Sequence, residues 1–90
     1  MTIKRPTSLK LPNLHAAIRV WQDEKDRLDL ILEAAETAAT LDAWLVAHDA
    51  NDEKLRRAYY EDTKGRTSWN AVKDMHIYDL FVIASRYGAK

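Results

Sequence analysis

The apolar positions along this chain repeat at helical spacing over most of its length. With Leu28 as the origin of a helical wheel, Leu14, Ala17, Trp21, Leu32, Ala35 and Ala39 fall within about 40° of it. Asp23, Asp26, Asp29, Glu33, Glu36, Thr37 and Thr40 fall on the far side. This predicts a long amphipathic helix over about 13–39, opening at Asn13 as N-cap with Pro12 before it.

The stripe then changes phase. Leu41, Trp44, Leu45 and His48 form their own i, i+3, i+4, i+7 set, turned towards the polar side of the first wheel. A single helix from Leu14 to His48 would be about 52 Å long, more than the width of a compact chain of this size. A break near Thr37–Thr40 is therefore expected, with room for a short helix at 41–49. Were the helix unbroken, its ends would project and a dimer would be the way to cover them. Asp49 to Asp52 then read as a polar connector. A second helix is expected over 52–64, with Leu55, Ala58 and Tyr59 as its stripe and Gly65 ending it. A third is expected over 68–87, capped by Thr67 or Ser68 and ended by Gly88. Its second half, Met75 to Ala84, is apolar almost all round and should be buried on several sides.

The only prolines are Pro6 and Pro12, and the only glycines Gly65 and Gly88, so Asn13 to Lys64 lacks both. No run of alternating β-branched residues suggests a strand. The expected fold is all-α: a small bundle of three long helices as one domain over 13–90, behind a basic extended arm over 1–12. Ninety residues with 20 Leu, Ile, Val and Phe and 13 Ala give a modest core. Such a chain is marginally stable alone, which favours a homodimer.

Chemistry is sparse. The chain has no cysteine, hence no thiolate nucleophile or Cys-based zinc site. His15, His48 and His76 show no metal-ligand spacing, and two distant glycines cannot build a phosphate loop. Neither an enzyme nor a cofactor or metal is expected. No apolar run is long enough to cross a membrane, and the basic start has no apolar core of a signal peptide, so a cytoplasmic location is expected.

Charge is more informative. The net charge is zero, but residues 1–19 carry +4, residues 20–53 carry −8 and residues 54–73 carry +4. Asp26, Asp29, Glu33 and Glu36 line one face of the first helix. Like charges so close destabilise a helix by a few tenths of a kcal/mol per pair. They can be solvated surface, they can face the basic 54–73 segment, or they can face a basic partner. Trp44 and Tyr60 lie off or beside their stripes, and such residues anchor interfaces. The functional expectation is a non-enzymatic protein–protein interaction module. It would act as an inhibitor or adaptor of the kind carried by mobile genetic elements, using Asp26, Asp29, Glu33, Glu36, Trp44 and Tyr60. The alternative is a small DNA-binding regulator. Arg56, Arg57, Lys64, Arg66, Ser68, Asn70 and Lys73 surround the Gly65 junction as phosphate- and base-contacting residues surround a helix-turn-helix. Glu61, four before the glycine, and Asp74 fit that motif poorly.

Overall fold

The computed structural model describes residues 9–89. Four helices follow in order: α1 (Pro12–Ala34), α2 (Ala38–Thr63), α3 (Trp69–Val72) and α4 (Ile77–Arg86). Helix accounts for 78 % of these residues, and the fold is a small all-α bundle. Of the basic arm, residues 1–8 lie outside the described residues. Leu9 and Lys10 lead into α1, and Leu11 is fully buried.

The predicted break exists, but it falls at residues 35–37, so α1 ends at Ala34 and not near 39, and Thr37 explains it. Its hydroxyl accepts from Thr40 N (3.2 Å), while Thr40 Oγ1 accepts from Thr37 N (3.1 Å). This reciprocal capping box starts a new helix without glycine or proline. Glu36 therefore sits in the turn, beyond α1.

Three boundaries differ from expectation. There is no connector at Asp49–Asp52 and no separate helix over 41–49, because α2 runs unbroken for 26 residues, about 39 Å. Asp and Asn cost a helix interior only about half a kcal/mol each. Here Asn51 and Asp52 bond across to α1 instead: Asn51 Nδ2 donates to Trp21 O (3.2 Å) and Trp21 Nε1 donates to Asp52 Oδ1 (2.9 Å). The helix expected over 68–87 is split. His76 caps α4 by accepting from Tyr78 N at Nδ1 (3.0 Å), and Arg56 Nε takes the Met75 carbonyl at the break (2.7 Å). Only Leu80 and Ala84 of α4 are buried, and Tyr78 is 66 % exposed, so this helix is not buried on several sides. Finally, Asn13 is not the cap of α1. That position is Leu11, which has no side-chain cap, and Asp62 at the end of α2 serves the N–H groups instead.

α1 and α2 form an antiparallel hairpin. The core sits at its base, where Leu11, Leu14, Leu55, Leu80 and Ala84 are buried, flanked by Trp21, Tyr59 and Phe81. Leu11 N donates to Gly88 O (2.9 Å), and His15 Nε2 lies 2.7 Å from Tyr87 O, so the end of α4 is tied to the start of α1. α4 begins beside His48 and Asp52, halfway along the hairpin, and runs back to this base. The hairpin end towards Ala35–Thr37 thus carries no third helix among the described residues. The chain extends 63 × 23 × 16 Å, with a radius of gyration of 15.9 Å against about 12 Å for a compact chain of 90 residues.

Gly65 has φ +93°, a conformation that disfavours any side chain although a Cβ would meet nothing there. Thr63 and Thr67 close the turn through their hydroxyls (2.8 Å), and Ser68 caps α3 by accepting from Ala71 N.

Candidate functional site

Two places on the molecule offer more than packing. The first is the free end of the hairpin. Leu30, Ile31 and Leu32 of α1 and Leu41, Leu45 and Val46 of α2 are all exposed there, Leu30 by 68 % and Val46 by 71 %. Leu28 alone is buried in this half. Trp44 fastens the two helices: its Nε1 donates to Leu28 O (3.0 Å), and its ring lies 4.9 Å from that of His48. Trp44 is thus half-buried and committed to the hairpin.

The acidic face lies along the same stretch. Asp26 and Glu33 are exposed on α1, Glu36 is exposed in the turn, and Asp29 is bonded to Lys25 (3.1 Å). Among the described residues every ion pair joins groups at most four positions apart in sequence. The basic 54–73 segment therefore makes no ion pair with this face. Glu53 and Arg57 pair at i, i+4 (3.8 Å). Arg27 bonds Glu24 (2.6 Å) rather than Asp23, and Asp52 and Arg56, also four apart, turn to other partners.

The basic residues surround the Gly65 turn without sharing one surface role. Arg57 lies over the Trp69 ring (5.0 Å), which also meets Tyr60 edge-on (5.7 Å). Lys64 bonds Glu61 (3.0 Å), Ser68 is spent as a cap, and Arg56 is drawn to Met75. Arg66, Asn70 and Lys73 are exposed. α3, where a recognition helix would lie, has four residues.

The second place is a cavity of about 330 Å³ between the middle of the hairpin and the start of α4. Trp21, Ile77, Tyr78 and Phe81 give it apolar walls, and His48, Asp52, Arg56 and His76 its polar groups. Trp21 and Phe81 meet edge-to-face at 5.1 Å. His48, Asp52 and Arg56 follow at i, i+4, i+8 on α2, a spacing that places them on one helix face and that would have marked them in the sequence. His76 joins them only because the last helix breaks at Met75, which the apolar pattern conceals. His48 Nδ1 is 3.7 Å from carboxylate oxygens of both Asp49 and Asp52, and these three could approach one metal ion.

No helix among the described residues is long and apolar enough to cross a membrane. Comparison with protein-family models, curated proteins and solved structures yields no match.

Proposed function

We propose that this chain is a non-enzymatic protein–protein interaction module, an inhibitor or adaptor, whose working surface is the free end of the α1–α2 hairpin. The observation that carries this reading is the six exposed aliphatic side chains between Leu30 and Val46, on a part of the hairpin that no other helix among the described residues covers. Several exposed apolar side chains at one end of a projecting element favour an interaction surface. Asp26, Glu33 and Glu36 beside them select a basic partner and speed its encounter. An amphipathic helix with a basic polar face fits, since it would supply the third helix that this half of the hairpin lacks. The anchors are then Leu30, Leu41, Leu45 and Val46, with Trp44 holding the two helices in register beneath them.

The DNA-binding alternative gains less. A four-residue α3 is short for lying along a major groove, and Arg56, Arg57 and Lys64 are engaged by Met75, Trp69 and Glu61, which leaves Arg66 and Lys73 as the exposed cations of the turn. A second copy is the other occupant that the hairpin end could take, although it would bring two acidic α1 faces together.

A photo-crosslinking side chain at position 30 or 46, in cells of the source organism, tests the proposal. One protein should be trapped from both positions and not from position 86 at the base. Leu45→Glu with Val46→Lys should abolish that adduct and leave helical content intact. Adducts containing only this chain, with a mass in light scattering above 10.4 kDa, would make the surface a homodimer interface. The same yield from position 86 would remove the hairpin end as the working surface.

A further inference from the structure

We propose that the mid-hairpin cavity is a binding site for a small carboxylate with a flat apolar body. This is independent of the hairpin end. The volume, about 330 Å³, lies at the lower end of the range for small-molecule sites, and apolar walls with a few polar groups are the usual pattern of such sites.

The sign of the ligand follows from which groups are already engaged. Asp52 accepts the Trp21 indole N–H at Oδ1 (2.9 Å), and its Oδ2 is 3.7 Å from His48 Nδ1. Asp52 is thus held by the indole N–H at one oxygen and faces the His48 ring with the other. Arg56 is different. Its Nε donates to Met75 O (2.7 Å), which orients the guanidinium, but no carboxylate lies within ion-pair distance among the described residues. Asp52, one turn before it, is turned to Trp21. The terminal nitrogens of Arg56 therefore carry a positive charge with no anion opposite.

Two further donors share the cavity lining. His76 accepts the Tyr78 N–H at Nδ1, so its neutral ring carries the proton at Nε2 and offers it as a donor. Ile77 opens α4. The N–H groups of Tyr78, Asp79 and Leu80 are taken by His76 itself, leaving that of Ile77 as the unserved donor of the first turn. A guanidinium, an imidazole N–H and a helix N-terminus together match an anion, and the planar fork of Arg56 matches a carboxylate. Trp21, Phe81 and Tyr78 provide ring surfaces for the body of the ligand.

The test is titration of the labelled protein with four carboxylates: phenylacetate, indole-3-acetate, cyclohexylacetate and isovalerate. Amide shifts are followed at Ile77 and Tyr78, with side-chain shifts at Trp21 Nε1 and Arg56 Nε. At least one acid should bind saturably, with shifts centred on these groups. Phenylacetamide, its neutral counterpart, should bind about tenfold more weakly or worse, since a hydrogen bond to a charged group is lost. Arg56→Gln should weaken the acid about tenfold and leave the amide unchanged. Because Arg56 also holds Met75, a second variant guards against misfolding: His76→Asn keeps the cap of α4 but removes the Nε2 donor, and it too should weaken the acid. The proposal is overturned if none of the acids saturates, if the amide binds as tightly as the acid, or if phenethylamine binds more tightly. It is equally overturned if zinc ion alone produces the shifts, which would assign His48, Asp49 and Asp52 to a metal.

Discussion

The carboxylate of Asp62 accepts the backbone N–H of Leu14 at 2.8 Å, across 48 residues of sequence. The same carboxylate accepts from Asn13 N (3.1 Å) and Asn13 Nδ2 (2.9 Å). The last turn of α2 thereby caps the first turn of α1, and a negative charge sits at the positive end of that helix dipole. Most caps are local, but this one closes the hairpin at its base.

Asp62→Ala should therefore cost about 1–2 kcal/mol, the usual loss for a removed cap. Asp62→Asn, which keeps one acceptor but loses the charge, should cost less. Urea unfolding followed by circular dichroism measures both. A midpoint that falls while the slope holds fits loss of the cap, and an unchanged midpoint contradicts it.

Trp44 gives a second, separable prediction. Trp44→Phe keeps the ring and loses the bond to Leu28 O, so stability should drop by about 1 kcal/mol. Partner capture through the hairpin end should persist once the protein is folded. Lost capture at full stability would restore Trp44 as a direct anchor.

Asn51 is 3 % exposed, and its Oδ1 has no partner, whereas its Nδ2 bonds Trp21 O. An unmet buried oxygen costs about 1–3 kcal/mol, and the single bond returns about 1. Asn51→Leu should be neutral or stabilising in thermal melts, and Asn51→Asp strongly destabilising at neutral pH. A large loss for the leucine variant would show that the amide is needed in full.

Burial holds the Tyr59 phenol above its ordinary value of 10.0, and Tyr87 adds to the effect. The folded state thus keeps a proton that the unfolded chain releases first. The stability this represents is complete below about pH 10 and is lost as pH rises through the raised folded value. Melting temperatures should fall on that alkaline limb, and Tyr59→Phe should flatten it. Lys64, raised by its hydrogen bond to Glu61 and then by the charge of Glu61, acts in the same direction. It is exposed, so running the series at high salt suppresses its part.

The all-α class and the break before Thr40 were legible because helical periodicity and its phase shift are local features of sequence. The course of α2 through Asp49–Asp52 was not. Polar residues there signal a connector, and only Trp21, thirty residues away, makes Asn51 and Asp52 useful inside a helix. The division of the last helix was hidden for the opposite reason: Met75 to Ala84 reads as one apolar run, while His76 and Arg56 end and restart it. The acidic face was visible, but Glu36 left it when the Thr37 cap ended α1 two residues earlier. The separate stripe of Leu41 and Leu45 is legible in the sequence, but its exposure is not, because that depends on α4 packing at the base of the hairpin.

The unequal ends of the hairpin have a kinetic consequence. Four fully buried leucines, each contributing about 2–3 kcal/mol, gather at the base, where Leu11 is tied to Gly88 and Asp62 to Leu14. The other end has Leu28 and the indole of Trp44. Opening should begin at the Ala35–Thr37 turn and travel inward, as a zipper does from its free end. Amides from Leu30 to Val46 should exchange hydrogen for deuterium fastest among the helical ones, and those near Leu14, Leu55 and Leu80 only on global unfolding. A surface that opens this easily trades part of its binding energy for the ability to reshape around what it meets.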